Sequence, residues 1–140
     1  MIDVGDISDN RELIRRPVID DKMLDRLITE LERAKRPIVL IEYLGTAALT
    51  TGDYIHQAIA QSDLIISVGY DPIEKPTTMM GIDGTPSIYI NFYEATIDDV
   101  YAPYLEVIGD IGNVFWRLSE RDIVQKWDFD DIYRIRDVYQ

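Results

Sequence analysis

The 140-residue chain contains no cysteine and a single histidine, His56. Without cysteine there can be no disulfide and no thiolate metal site, and this composition fits a reducing cytoplasm, where we expect the protein to be located. One histidine also excludes a multi-histidine metal cluster. Because His56 falls within a helical pattern, a surface or interface position is favoured over a Ser–His–Asp triad. We therefore predict no catalytic and no metal-binding residues.

Basic residues are few, with 14 Lys and Arg against 26 Asp and Glu, which gives a formal net charge of −12. A surface this acidic repels phosphate backbones and anionic lipid heads, so neither nucleic acid nor membrane is an expected partner. No apolar run reaches the length of a membrane span, and the amino end has no signal-peptide pattern. Hydrophobic residues make up 46% of the chain, which indicates one globular domain with a substantial core.

The common phosphate-binding and nucleophile motifs are also missing. No G-x-G-x-x-G, G-x-x-x-x-G-K-[ST] or G-x-S-x-G occurs in the chain. Adjacent carboxylates, which can hold a divalent metal, occur at Asp20-Asp21, Asp98-Asp99 and Asp130-Asp131. Each pair adjoins a predicted helix start, where carboxylates favour the positive end of the helix dipole. Helix capping is therefore the preferred interpretation of these pairs.

The sequence does contain several short apolar runs. Residues 63–69 read DLIISVG, a run typical of a strand buried on both faces in a parallel sheet. The other predicted strands cover residues 37–43, 86–92 and 105–108. The first predicted helix begins at residue 21 with Asp20 as N-cap and is stopped by Arg36-Pro37. Another spans 111–119 with Asp110 as N-cap, and its apolar inner face consists of Ile111, Val114, Phe115 and Leu118. Further helices are predicted from 51–53 to 61 and after Asp128, with a short helical turn within 94–100.

The alternation of these elements predicts an α/β fold with a parallel, Rossmann-like sheet of about four strands and helices on both faces. We expect the strands to neighbour each other in chain order. The predicted organisation is an amino-terminal arm (1–17), a central domain (18–120) and a helical tail or linker (121–140). A long loop over 70–85 carries Met79 and Met80, which could cover an apolar ligand or pack against the protein's own surface or a partner.

Two glycines follow predicted strands, where open α/β sheets bind ligands. Gly69 ends the strand at 63–69, and Gly109-Asp110 joins a strand to a helix amino end, whose free N–H groups can meet a phosphate. Asp110 would repel a phosphate unless it contacts a hydroxyl group. A glycine after a buried strand is also common as plain architecture, so both interpretations stay open from these residues alone.

Three segments are informative when taken in order: ERAKRPIVLI (Glu32 to Ile41), GTAALTTGDYIHQAIAQSDLIISVGYDPIEKP (Gly45 to Pro76) and SIYINFYEATIDDVYAPYLEVIGDIGNVFWRL (Ser87 to Leu118). Together they resemble the central domain of acetolactate-synthase-like, thiamine-diphosphate-dependent enzymes. The resemblance implies a DHS-like NAD/FAD-binding fold. It also implies a parent enzyme that decarboxylates a 2-keto acid and joins it to a second one, using thiamine diphosphate and magnesium. The central domain of the family is structural and in some members binds FAD or another adenine nucleotide.

The chain departs from this family in three ways. It has neither the domain with the activating glutamate nor the Gly-Asp-Gly…Asn motif that holds magnesium, and a helix–strand block after residues 37–43 is missing. Members that hold FAD often show Gly-Ala-Arg where this chain has Gly69-Tyr70-Asp71, and Asp-Ile-Asp where it has Asn91-Phe92-Tyr93. The resemblance gives Gly69, Asn91, Gly109 and Asp110 as candidate cofactor-binding residues. No cofactor is expected for the chain alone, with FAD or ADP as the alternative.

Three functions stay open from the sequence. The first is a central, mainly structural domain that works with the catalytic domains of a parent enzyme and is inactive alone. The second is a nucleotide-binding module, and the third is a non-catalytic scaffold or interaction protein. The missing block leaves the strand at 37–43 as an unpaired sheet edge, so we also expect a homodimer formed through that edge. The alternative is a monomer in which the arm at 1–17 or the tail after Trp127 folds back over the edge.

Overall fold

A computed structural model describes residues 17–41, 54–69, 83–97 and 102–139. Several predictions lie outside these ranges: those for the arm at 1–16, for the strand end at 42–43 and the helix start at 51–53, for the loop methionines Met79 and Met80, and for Asp98-Asp99. In the parts of the chain that are described, no helix is both long enough and apolar enough to cross a membrane.

The centre of the fold is a four-stranded parallel sheet in the order β1-β2-β3-β4. One row of the register runs from Val39 to Ile66, Ile88 and Leu105 across all the strands. This order and direction confirm the α/β sheet predicted from the sequence. The strand bounds are β1 Pro37–Ile41, β2 Leu64–Val68, β3 Ser87–Asn91 and β4 Leu105–Ile108.

The described helices are α1 Asp21–Arg33, α2 Tyr54–Gln61, α3 Ile111–Ser119 and α4 Asp130–Tyr139. Both predicted N-caps are confirmed: the Asp20 carboxylate accepts the Met23 amide at 2.7 Å, and the Asp110 carboxylate accepts the Asn113 amide at 2.8 Å. These bonds satisfy amides that have no partner inside the helix. The helix predicted after Asp128 is also confirmed.

The short helical turn predicted within 94–100 is wrong over its described part, since residues 94–97 are irregular. The physical reason is a contact from a neighbouring strand. The amide of Ala95 donates to the carboxylate of Glu106 in β4 at 2.8 Å, which fixes this backbone beside the strand.

Apolar side chains cover the sheet on both faces. On one face, Leu24 and Leu27 of α1 and Val114 of α3 are at most 1% exposed and pack on the side chains of β2, β3 and β4. On the other face, Ile59 of α2 packs with Ile65 and Tyr89. Every residue of β2 and β3 is buried, as predicted for strands covered on both faces.

The carboxylate of Asp63 shapes the turn between α1 and β1. Its two oxygens accept the amides of Lys35 and Arg36, each at 2.8 Å, from 28 and 27 positions along the chain. The sequence predicted the end of this helix from Arg36-Pro37. The structure adds that the residue just before β2 anchors the connection.

Residues 121–128 run along α1 and join it through backbone and side-chain bonds. The amide of Val124 donates to the Glu32 carboxylate at 3.1 Å, and the Trp127 indole N–H donates to the Leu31 carbonyl at 3.3 Å. The Asp128 amide donates to the Lys35 carbonyl at 2.7 Å. Helix α4, which follows, contacts α2. The tail thus packs onto the fold in two places: residues 121–128 bond along α1, and helix α4 contacts α2.

Candidate functional site

The four residues singled out from the sequence converge at the carboxyl edge of the sheet. Gly69 follows β2, Asn91 ends β3, and Gly109-Asp110 follows β4. The Gly69 amide donates to the Ile90 carbonyl at 2.9 Å, and the Gly109 amide donates to the Asn91 carbonyl at 2.9 Å. The structure therefore brings these residues together, on three adjacent strands.

Gly69 adopts a left-handed backbone conformation with φ +60°. This conformation costs little for glycine and more for residues with a Cβ atom. A Cβ at this position would stand 3.6 Å from Ile111 Cδ1, which is ordinary van der Waals contact. The glycine is therefore required by the turn that ends β2, and space is not the limiting factor.

Gly109 is required by a close approach of the chain segment that leads into α1. A Cβ here would lie 3.1 Å from the Pro17 carbonyl oxygen and 3.1 Å from Ile19 Cγ2. The neighbouring amide of Asp110 donates to that same Pro17 oxygen at 2.8 Å. Residues 17–19 thus lie across the carboxyl end of β4 and cover this part of the predicted crevice.

Asp110 places its own carboxylate at the amino end of α3. A helix amino end attracts anions because its first N–H groups are unpaired and the helix dipole is positive there. The Asp110 carboxylate already accepts the Asn113 amide, so the chain supplies the anion at this position. The free N–H groups expected from the sequence to meet a phosphate are thereby reduced in number.

Asn91 is 2% exposed and turns its amide group into the protein. Its Nδ2 donates to the hydroxyl of Tyr89 at 2.9 Å, and its Oδ1 accepts the amide of Phe92 at 2.8 Å. These bonds satisfy a polar side chain that would be costly to bury alone. Tyr89 was not singled out from the sequence, where its place in an apolar strand marks it only as core.

Arg117 is a second residue that sequence reasoning missed. Its side chain is 16% exposed, and its guanidinium donates to the Ile19 carbonyl and to the Asp21 carboxylate. It ties α3 to the segment that enters α1. The amphipathic pattern of α3 identified its apolar face, but no local signal pairs an arginine with residues more than 90 positions earlier.

An apolar cavity of about 270 Å³ lies between α1, α3 and the β1 side of the sheet. Phe115, predicted on the inner face of α3, borders this cavity and is 43% exposed, whereas Val114 is fully buried. The lining has no ionisable side chain, so it offers van der Waals contact and no acid–base chemistry. Its residues include Leu27, Leu31, Val39, Ile66, Phe115 and Trp127.

A polar depression lies at the opposite, amino edge of the sheet. Its guanidinium groups are engaged within the chain: Arg36 Nε donates to the Gln61 carbonyl at 2.7 Å, and Arg134 pairs with Asp131 at 3.2 Å. Over the described ranges, no group of three or more His, Asp or Glu side chains is arranged to hold a metal ion. Neither edge therefore shows a constellation of reactive side chains among these residues.

Comparison with known proteins finds similarity to acetolactate synthases over about half of the chain. No family model matches. The acetolactate synthase of Bacillus subtilis (strain 168) is 35% identical over 71 residues, which cover 50% of this chain and 12% of that protein. The catabolic acetolactate synthase of Raoultella terrigena is 28% identical over 79 residues, which cover 56% of this chain and 14% of that protein. The chain thus spans a small part of the length of these relatives, and it contains a region similar to acetolactate synthases within an α/β fold.

Proposed function

We propose that the chain is the central, mainly structural domain of an acetolactate-synthase-like, thiamine-diphosphate-dependent enzyme and is not catalytic alone. In this proposal its sheet is of the Rossmann-like, DHS-like NAD/FAD-binding type. The parent enzyme decarboxylates a 2-keto acid and joins the product to a second keto acid in the cytoplasm. Its other domains supply the residues that hold thiamine diphosphate and magnesium.

The observation that carries this proposal is the bonding at the carboxyl edge of the sheet. Asp110 caps α3, Gly109 accommodates the Pro17 carbonyl, and Asn91 bonds with Tyr89 and Phe92. All three are engaged within the chain: Gly109 lies at a junction between distant segments, and Asp110 and Asn91 bond with residues at most three positions away. Such bonding suits a domain that supports and positions others, and the partial similarity to acetolactate synthases indicates which enzymes those others belong to.

Calorimetry tests the lack of independent activity. We expect no saturable heat when thiamine diphosphate and magnesium are titrated into the chain, and no turnover of added pyruvate. An intact acetolactate synthase measured under the same conditions is the positive control. Saturable cofactor binding or pyruvate turnover by the chain alone would contradict the proposal.

The reading frame around the chain tests the central-domain role separately. We expect the flanking sequence to encode a domain with the activating glutamate on one side and a Gly-Asp-Gly…Asn motif on the other. A frame that encodes neither would refute this role. It would favour the scaffold function.

Binding of an adenine nucleotide is the second candidate function. It is favoured by the meeting of Gly69, Asn91 and Gly109-Asp110 at one edge, because ligands of open α/β sheets bind there. The Asp110 carboxylate and the segment at 17–19 weigh against it, since they occupy the helix amino end and the space beside Gly109. Titration with FAD and with ADP separates the two functions: stoichiometric, saturable binding favours the nucleotide module, and its absence favours the structural domain.

A further inference from the structure

Strand β1 has a free side within the described part of the chain. It pairs with β2, and none of the other described strands lies on its opposite side. Val39 and Ile41 are 51% and 70% exposed, although both residues belong to the sheet. An edge of this kind presents backbone donors and acceptors that another strand can use.

The hydrogen bonds of β2 show which groups of β1 point outward. The amides of Ile65 and Gly69 donate to carbonyls on the β3 side, at 3.0 and 2.9 Å. Because backbone groups alternate along a strand, those of Leu64, Ile66 and Val68 face β1. In the parallel register, the backbone N–H and C=O groups of Ile38 and Leu40 then point toward β2. The backbone groups of Pro37, Val39 and Ile41 therefore point away from the sheet.

Two of these residues, Pro37 and Val39, are suited to an edge in other respects, although the Pro37 residue itself is buried. Proline lacks an N–H, so its place in a sheet is an edge strand or the first residue of a strand, and Pro37 satisfies both conditions. Pro37 and Val39 also border the apolar cavity beside Trp127. The free edge is thus continuous with an apolar surface on the α1 and α3 face.

We infer that a second copy of this chain pairs with β1, antiparallel, about a two-fold axis at Val39. In this register the two Val39 residues face each other and exchange both backbone hydrogen bonds. The Ile41 amide of each copy donates to the Pro37 carbonyl of the other. The register uses every outward N–H of β1 and joins the two sheets into one.

Charge favours the antiparallel arrangement. Lys35 and Arg36 precede β1, and Glu42 follows Ile41 directly in the sequence. Antiparallel pairing sets the basic end of one strand against the acidic end of the other, whereas parallel pairing sets like charges side by side.

The net charge of −12 on each copy opposes association. At physiological ionic strength, repulsion beyond ~8 Å is largely screened.

Cysteine crosslinking tests the register. The chain has no cysteine, so Val39→Cys introduces a single thiol. Directly opposed residues of a hydrogen-bonded antiparallel pair have Cα atoms about 5.5 Å apart, within the range of about 4.4–6.8 Å that a disulfide spans. We expect mild oxidation to convert this variant to a covalent dimer, seen by non-reducing electrophoresis. Val124→Cys is the matched control, because Val124 is 64% exposed on the segment beside α1. Equal crosslinking of both variants, or none at Val39, would overturn the inference.

Light scattering over a concentration series tests the association itself. We expect the mass of a dimer for the unmodified chain. In the Val39→Lys variant, the dissociation constant of the dimer should rise by about tenfold or more, because two like charges then face each other across the axis. Val124→Lys should leave it unchanged, and circular dichroism checks that both variants are folded. If Val39→Lys does not fold, the crosslinking result decides. A monomer mass at every concentration, or a dimer unaffected by a folded Val39→Lys, overturns the inference and leaves the edge to another segment or partner.

Discussion

The carbonyl oxygen of Pro17 lies 3.1 Å from the point where a Cβ of Gly109 would stand, and it accepts the amide hydrogen of Asp110 at 2.8 Å. This contact joins the segment before α1 to the end of β4, residues more than 90 positions apart. It explains a glycine that the sequence presented as a candidate ligand position. Gly109 lets two backbone segments approach closely enough to bond.

Gly109→Ala should therefore destabilise the fold, by about 1–3 kcal/mol, because the new methyl group forces the Pro17 backbone away. Urea unfolding followed by circular dichroism measures the change. Gly112→Ala is the control: its methyl group meets only the Asp110 carboxylate, at 3.3 Å, and alanine favours the helix. A loss at position 109 no larger than that at 112 would show that the close approach is unimportant.

Replacing Arg117 with methionine should cost about 1–3 kcal/mol of unfolding free energy, because the Ile19 carbonyl loses its charged donor in a half-buried position. Asp21→Asn should cost less, up to about 1 kcal/mol, since the Asp21 side chain is 81% exposed and exposed ion pairs contribute little. Chemical denaturation of the two variants side by side gives the comparison. Equal losses would mean that the ion pair, and not the bond to Ile19, carries the contribution of Arg117.

Removing the Asp63 carboxylate should weaken the connection between α1 and β1. Asp63→Ala leaves the amides of Lys35 and Arg36 without their acceptor, and a loss of about 1–3 kcal/mol is expected. The control Asp128→Ala removes a single exposed bond to the Asp130 amide at 3.1 Å, and it should have a smaller effect. Thermal unfolding of both proteins ranks them, and a reversed order would refute the role given to Asp63.

Ile66→Asp should unfold the protein. Ile66 is 6% exposed in the second strand of the sheet, and an unpaired carboxylate buried there costs several kcal/mol. Ile97→Asp, at a position that is 60% exposed, makes the same chemical change without burial and should leave the fold intact. Far-UV circular dichroism distinguishes the two. A folded Ile66→Asp protein with an unchanged melting temperature would show that β2 is not central.

The sequence by itself determined the α/β class, the four strands, their order and the described helices, two of them with aspartate caps. The elements follow from local rules, because apolar runs mark covered strands and a carboxylate caps the helix that starts next to it. The strand order follows from the general rule that successive parallel strands usually lie side by side. The helical turn proposed within 94–100 failed at residues 94–97, since Glu106 from β4 takes the Ala95 amide. The conformation of this segment thus depends on a side chain from another strand, which the local sequence pattern does not predict.

The capping role of Asp110 was predicted from the sequence, but the roles of Gly109 and Arg117 were decided by the tertiary structure. Gly109 faces Pro17, and Arg117 reaches Ile19, in both cases more than 90 positions away. The sequence could mark strand ends where ligands bind in such folds, but it could not show which backbone segment crosses each end. That depends on how distant parts of the chain pack, because a hydrogen bond or a steric contact acts only between groups that folding has already brought within a few ångströms.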